Sequence, residues 1–221
     1  MYAVINGGYF DMTQNTSASF LAEKGRVKAK NKVNEDASNH PTVGAIGSNQ
    51  DNSISIEYIY SFGPTLDTYK FSRANFVPGP APTPDQGQPW PVKEGIGAGP
   101  ILLKNTNIIE GNVENFDYNY MIKTRHPRSS VCTDRNNNLY LLAMDGRYSG
   151  SKGLNMTENA QVMQSLNCWD ALNLDGGGST LLYANGHVVN RPSDPSGPRK
   201  VVSALLIRDR YKKKNILTSE A

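Results

Sequence analysis

The sequence predicts a single α+β domain: a mixed, mostly antiparallel sheet with few helices and an embedded βαβ unit. Three observations lead there. The chain has 221 residues, enough for one sizeable hydrophobic core and short for two. Its first third alternates apolar and polar residues with period two, between turns carrying glycine and asparagine. Only one stretch has a strong helical pattern, and it lies between two apolar strands. The 20 glycines and 13 prolines fit a loop-rich sheet protein better than a helical one.

"YAVI" reads as a buried strand running into the turn Asn6-Gly7-Gly8. A chain that opens inside a strand is expected to lack a preceding segment. "SASFLA" and "RVKA" flank "EKG" as a hairpin. In "SISIEYIYS", Ile54, Ile56, Tyr58 and Tyr60 share one face of a half-buried strand. Six of the 13 prolines then fall between Pro78 and Pro91, which excludes helix and central strand. That stretch is a long loop, either a functional flap or a surface insertion. Trp90 inside it either packs on the body or stacks on a sugar.

"GIGAGPILLKN" gives a glycine-rich turn and a short strand, and "NNLYLLAMDGR" (137–147) a second, stronger one. Asn155 caps a helix, with Glu158 as the returning partner of a capping box. Ala160, Val162, Met163 and Leu166 form its apolar face, to about Asn167. "WDALNL" is a third strand. "STLLYANGHVVN" is a hairpin around Asn185-Gly186, and "KVVSALLIRD" a last, well-buried strand.

The domain spans residues 1–207, and 208–221 form a basic tail. With a net charge of only +3 and no Lys/Arg stripe with interleaved aromatics, the tail "RDRYKKKN" reads as a solvated end. No nucleic-acid partner is expected. No apolar run reaches the length of a membrane span, and no signal peptide is visible. Cys132 and Cys168 are too few for a disulfide framework and read as two buried free thiols.

The functional signal lies in the strand–helix–strand order over 138–174. If the two strands are parallel, both finish on one sheet edge, where α/β sheets place ligands. The first is followed by Asp145-Gly146-Arg147. The second runs through Asn173 into Asp175, Gly176, Gly177, Gly178, Ser179 and Thr180. Successive glycine amides are expected to form a nest for an anion, with Ser179 and Thr180 as added donors. Arg147 offers a planar fork that fits phosphate. Acids beside an anion site hold a metal, act as acid, base or nucleophile, or hold an arginine in place. No lysine follows the glycines, so this is not a Walker loop.

Asn6 and Gly7 repeat the strand-then-glycine theme near the start. "TRHPRSS" adds Arg125, His126, Arg128 and Ser129. "NRPSDPSGPRKVV" adds Arg191, Asp194 and Arg199. His126 is read either as a proton donor or as a structural residue.

Taken together, these segments resemble the phosphodiester glycosidase domain family. The matching pieces are "INGGYF", "GAGPILL", "HPRSSVCTD", "LLAMDGR", "GLNMTENAQVMQSLNCWDALNLDGGGSTLL", "VVNRPSD" and "PRKVVSALLI". They run from near the first residue to about 207. Three features depart from the family. It usually has sequence before the NGG segment. Its arginine segment usually continues with Thr or Ser and then Ala, where this chain has Ser129-Ser130. It often has Arg-Pro-Val late in the chain, where this one has Arg199-Lys200-Val201.

The resemblance implies hydrolysis of a sugar-1-phosphodiester at the bond between the anomeric carbon and the phosphate oxygen. The substrate class is a small glycosyl phosphodiester or phosphoglycan, resembling an N-acetylglucosamine-1-phosphodiester. Arg128, Arg147, Arg199 and the glycine nest would hold the phosphate. Asp175, with Asp145 second, would act on an oxocarbenium-like transition state. Asn6 and Asn173 would bond the sugar or the phosphate. The family also implies an extracytoplasmic location: secreted, periplasmic or at the cell surface. Two other readings stay open. One is a phosphodiesterase cutting P–O, with a divalent cation held by Asp145, Asp175 and Asn173. The other is a cell-surface glycan-binding module without turnover.

Overall fold

The computed structural model of the protein describes residues 2–75 and 78–208. The tail from Asp209 onward, and Phe76 and Val77, lie outside the described residues.

A five-stranded sheet positions the site. Its strand Arg128–Thr133 is antiparallel to the edge strand Leu139–Met144 on one side and to the central strand Asp170–Asn173 on the other. The two flanking strands therefore run parallel, with a third strand between them. The expected βαβ unit is present in this split form, with the helix Met156–Ser165 as its crossover. Ile101–Lys104 and Asn107–Ile108 complete the sheet. Because the flanking strands are parallel, the chain leaves both at the same edge.

The helix starts where the sequence predicts. Asn155 accepts a hydrogen bond from the Glu158 amide at 2.9 Å, and the Glu158 carboxylate accepts one from the Asn155 amide at 3.0 Å. Its buried face is Met156, Asn159, Ala160 and Met163. Leu166, expected on that face, is 43% exposed, because the helix has ended and the chain turns through Asn167 at φ +59°.

Both faces of the five-stranded sheet are covered, which is why every residue of Arg128–Thr133 is buried. On one face Met156, Ala160 and Met163 pack with Leu103, Cys132 and Ala171. On the other, Val131, Leu172 and Leu174 pack with Ile5, Ile46, Ile56 and Tyr58. Those partners come from a seven-stranded sheet around Val43–Ser48 and Ile54–Phe62, and from a four-stranded sheet around Tyr2–Asn6. Glu114, fully buried, joins the two large sheets by accepting from the Gly44 amide at 2.7 Å and the Ile101 amide at 2.5 Å. Burial pushes its carboxyl up to about 7.

Two expectations are corrected. Cys132 and Cys168 form a disulfide, with Cα atoms 5.8 Å apart. The chain turns after the helix and brings Cys168 back against the strand Arg128–Thr133, where Trp169 N donates to Thr133 O. The last strand, Ala204–Arg208, pairs only with Tyr2–Asn6 and forms a sheet edge. Leu206 is 57% and Ile207 37% exposed there, so this strand is not well buried. The proline-rich loop lies along the seven-stranded sheet, with Gln88–Pro89 pairing as an edge strand. Trp90 is buried against Phe20, and its indole N–H donates to Ser55 Oγ at 3.1 Å. The packing reading of Trp90 holds, and no described residue of 78–91 borders the cavity described below.

The disulfide closes a loop of 36 residues, worth about 4 kcal/mol of lost chain entropy in the unfolded state. Reduction, or the double change Cys132→Ala/Cys168→Ala, is expected to lower the thermal midpoint by on the order of 10 °C. A midpoint insensitive to reductant would show that the crosslink contributes nothing.

Candidate active site

The two strand ends and the first strand converge through Asn6. Its Nδ2 donates to Asp175 O at 2.7 Å, and its Oδ1 accepts from Ser129 Oγ at 2.6 Å and from the Leu181 amide at 3.1 Å. The Asp175 amide donates back to Gly7 O at 3.1 Å. Asn6 is 2% exposed and fully engaged inside the protein. It sets the position of Asp175 and does not reach a substrate.

Asn173, 1% exposed, is likewise turned inward. Its Nδ2 lies within bonding distance of Gly99 O, Leu174 O and the Tyr9 hydroxyl, and its Oδ1 accepts from Asn159. Gly7 has no room for a side chain, because a Cβ would collide with Ser203. Asn6 and Asn173, expected to bond the ligand, have their side-chain amides engaged inside the protein, and the Gly7 amide donates to Ser203 O at 2.8 Å. A buried amide with all its partners inside the protein is satisfied and has no capacity left for a sugar.

Beyond Asp175 the chain closes the floor of a cavity of about 140 Å³. Asp175, the three glycines 176–178, Arg128, Arg147, Arg199 and His126 line it. Tyr120 and Met121 form its rim. The glycines are explained by what approaches them. Gly177 has φ +61°, and a Cβ there would lie 2.9 Å from Nη2 of Arg147. At Gly178 a Cβ would fall on the Arg199–Asp194 pair, and at Gly176 it would lie 2.7 Å from Pro127 O.

The anion nest is smaller than expected. The Gly176 amide donates to Asp175 Oδ1 at 2.8 Å, and the Gly177 amide to Pro127 O at 2.9 Å. The Ser179 and Thr180 amides close the short 3-10 turn. Of the amides from Gly176 to Thr180, only that of Gly178 has no acceptor among the described residues. The Thr180 hydroxyl is buried without a hydrogen-bond partner; the Ser179 hydroxyl makes no bond of standard geometry but lies beside the Asp175 carboxylate and favours its charged form, and neither residue borders the cavity.

Each arginine is held differently. Arg128, 2% exposed, donates through Nε to Leu154 O at 2.8 Å and through Nη2 to Met121 O and Thr124 O, both at 2.9 Å. Its Nη1 has no acceptor among the described residues. Arg199 is gripped by Asp194, with Nε–Oδ2 at 2.9 Å and Nη2–Oδ1 at 3.2 Å. Arg147 has φ +64° and directs Nη2 to His126 Nδ1 at 3.2 Å.

The tautomer of His126 follows from its partners. Nε2 lies 3.0 Å from Tyr120 O, and a carbonyl only accepts, so Nε2 carries the proton. Nδ1 then accepts from Arg147. Burial, and next the cations Arg128 and Arg147, push the imidazole pKa below its ordinary value. A neutral His126 orients Arg147. Its one N–H is engaged with Tyr120 O, so the structural reading of this residue is favoured over the proton-donor reading.

Asp175 is pushed up to about 6 by burial, against the lowering effects of Ser179, the Gly176 amide and Arg199. Asp145 sits off the cavity wall. Its Oδ1 accepts from the Arg191 amide at 2.8 Å and from Asn190 Nδ2 at 3.3 Å. Asn190 also donates to Thr180 O and accepts from the Leu182 amide. Asp145 and Asn190 thus clasp the 190–199 loop, which carries Arg199, to the strand ends. Arg125 pairs with Glu158 at the surface, away from the site. Among the described residues no three His, Cys, Asp or Glu side chains gather as metal ligands; of the set Asp145, Asp175 and Asn173, only Asp175 lines the cavity, and the Asn173 amide is engaged inside the protein.

Sequence reasoning missed Tyr120, Met121 and Asn190. Tyr120 and Met121 lie in the π-helical segment Tyr118–Lys123, whose six residues "YNYMIK" carry no motif. An asparagine in a turn-rich loop gives no signal of what it will bond.

Comparison with known proteins agrees with this architecture. The sequence profile of the phosphodiester glycosidase family matches residues 1–208. A bovine N-acetylglucosamine-1-phosphodiester alpha-N-acetylglucosaminidase is 34% identical over 85 residues, 38% of this chain and 16% of that protein. The mouse protein of the same name is 32% identical over 101 residues, 45% of this chain and 19% of its own length. The aligned stretch thus spans less than a fifth of either relative.

The catalytic domain of the zebrafish protein of that name, described as auto-inhibited by its pro-peptide, superposes with a TM-score of 0.68 at 20% identity. The match covers 94% of this chain and 63% of that one. A putative exported protein from Burkholderia pseudomallei superposes at 0.65 with 14% identity, covering 93% of this chain and 65% of its own. At these identities the superpositions speak to the fold, and the profile match over nearly the whole length speaks to descent. The chain belongs to the phosphodiester glycosidase family.

Proposed function

We propose that the protein hydrolyses a hexosamine-1-phosphodiester, breaking the bond between the anomeric carbon and the phosphate oxygen. The observation that carries this reading is one half-buried carboxylate, Asp175, sharing a small cavity with three arginines. The names of the relatives above make N-acetylglucosamine the first sugar to try.

The roles follow from charge. A phosphodiester is an anion, and Arg147, Arg199 and the free edge of Arg128 offer it preorganised donors. As the C–O bond breaks, the bonding pair leaves with the phosphate oxygen, and the phosphomonoester gains negative charge. Donors aimed at that developing charge are worth ~3–4 kcal/mol each in a water-poor site. A leaving group stabilised in this way needs no proton from a second acid. Asp175 is the only carboxylate on the cavity wall among the described residues, unlike the paired carboxylates of most glycosidases. It acts on the opposite partner, the electron-poor anomeric carbon, either directly as nucleophile or by taking a proton from water. The products are the free sugar and a phosphomonoester of the aglycone. Asp145 is a positioning residue for the loop carrying Arg199.

The location we propose is extracytoplasmic, in line with the Cys132–Cys168 disulfide, since such bonds persist in oxidising compartments. No helix among the described residues is long and apolar enough to cross a membrane.

Incubation with an N-acetylglucosamine-α-1-phosphodiester, followed by phosphorus and proton NMR with and without chelator, tests the reaction. Free sugar plus phosphomonoester, unaffected by chelator, is expected. Sugar-1-phosphate lost on chelation would replace this reading with a metal phosphodiesterase.

Asp175→Asn is expected to lower turnover at least a hundredfold and yet to stabilise the fold. Burial raises the folded carboxyl to about 6, above its ordinary value of 3.8, so wild-type stability falls as pH rises between those values. The asparagine variant is expected to gain up to about 3 kcal/mol at pH 7 and nothing below pH ~3. Denaturant titrations at both pH values check it, and a destabilised variant at pH 7 would contradict it. Wild-type activity is expected to fall as pH drops through about 6, as Asp175 takes up its proton.

Gly177→Ala is expected to cost activity far beyond its effect on stability, because its Cβ displaces Arg147. Gly25→Ala is the control, with φ +73° and nothing within 4 Å, so it carries the backbone strain alone. Equal losses of stability, of about 1–2 kcal/mol, with activity lost only at Gly177, are the expected pair. Loss of folding at Gly177 alone would favour a packing role for the turn.

Asp145→Asn keeps an acceptor for the Arg191 amide and is expected to retain most activity, whereas Asp145→Ala is expected to raise KM severalfold. A loss in kcat equal to that of Asp175→Asn would instead place Asp145 among the catalytic residues.

A further inference from the structure

The cavity beside Asp175 measures about 140 Å³, and pockets that enclose a drug-sized ligand start at roughly 300 Å³. A phosphate group and the reacting carbon fit inside. The remainder of any glycosyl phosphodiester has to lie across the rim, and the aromatic side chain on that rim is Tyr120.

Tyr120 is 57% exposed, yet the backbone beneath it is anchored. Its amide donates to Asp117 Oδ1 at 2.7 Å, and its carbonyl accepts from His126 at 3.0 Å. The next carbonyls along the segment, those of Met121 and Thr124, accept from Arg128. The ring packs against the His126 imidazole, with centroids 4.7 Å apart. The residues that border the cavity therefore also hold this turn in place. An aromatic ring braced on one side and open to solvent on the other is a stacking surface whose ordering entropy has already been lost in folding.

We propose that Tyr120 forms the sugar subsite, with its ring against the apolar C–H face of the pyranose whose anomeric carbon sits at Asp175. The inference rests on the reaction proposed above. It assigns the sugar rather than the aglycone because the reacting carbon belongs to the sugar ring and has to enter the cavity. The aglycone is held off by the length of the phosphodiester. A side chain bordering so small a cavity meets the sugar first.

The test uses Tyr120→Ala and Tyr120→Phe with two N-acetylglucosamine-1-phosphodiesters, one with a methyl aglycone and one with a bulky aromatic aglycone. Inorganic phosphate serves as a competitive probe of the arginines. Tyr120→Ala is expected to lower kcat/KM by about three- to tenfold, equally for both substrates, with the phosphate inhibition constant unchanged. Tyr120→Phe is expected to match wild type. A loss confined to the bulky aglycone, no loss at all, or a weakened phosphate site that phenylalanine does not restore would each overturn the assignment.

If the wild-type protein turns over neither diester, the proposed reaction fails on its own account. The subsite is then judged by saturation-transfer NMR with a non-hydrolysable C-glycosyl phosphonate ester of N-acetylglucosamine. Saturation of ring C–H protons that disappears in Tyr120→Ala upholds the subsite, and its absence or independence of Tyr120 overturns it.

Discussion

The site depends on one steric constraint: no Cβ fits at the three positions after Asp175. Each glycine admits a different neighbour, namely the Pro127 carbonyl, the Arg147 guanidinium and the Arg199–Asp194 pair. Remove that freedom and the arginines move away from the carboxylate. Three adjacent glycines cost backbone entropy, and the rest of the fold offsets the cost by fixing the turn from outside. Asn6 bonds Asp175 O, the Asp175 amide bonds Gly7 O, and the Gly177 amide bonds Pro127 O. The first strand, the strand Arg128–Thr133 and the glycine turn are thereby joined at one sheet edge.

Electrostatics then decides what the edge can do. Burial raises the Asp175 carboxyl, and Ser179, the Gly176 amide and Arg199 hold the rise to about 6. The cations are in turn ordered by groups carrying no net charge: carbonyl oxygens for Arg128 and a neutral imidazole for Arg147. Only Arg199 has an acidic partner. Positive charge in the cavity is therefore left mostly uncompensated, which suits an anionic substrate and a leaving group that gains charge.

Much of this was legible in the chain. Strand, helix, strand and then Asp-Gly-Gly-Gly placed Asp175 at a sheet edge, because periodicity reports which residues face the core and glycine reports where backbone and neighbours come close. The capping box of Asn155 and Glu158 was legible for the same local reason. What failed to show was long-range. Asn6 and Asn173 carry side chains typical of ligand binding, but their partners lie up to 175 residues away and turn them inward. The Cys132–Cys168 bond depends on how the chain turns after the helix. The final strand is apolar like a core strand, yet it ends up at an edge with one pairing partner. Tyr120 sits in a turn whose shape is set by Arg128 and His126, and six residues without a motif could not announce that.

Hydrolysis in water enriched in oxygen-18 tests the central claim most directly, with the products separated by mass spectrometry. If Asp175 works at the anomeric carbon and the arginines hold a departing phosphate, the label enters the sugar hydroxyl at C1 and the phosphomonoester stays unlabelled. Label in the phosphate would place the attack at phosphorus and contradict the roles given to both Asp175 and the arginines.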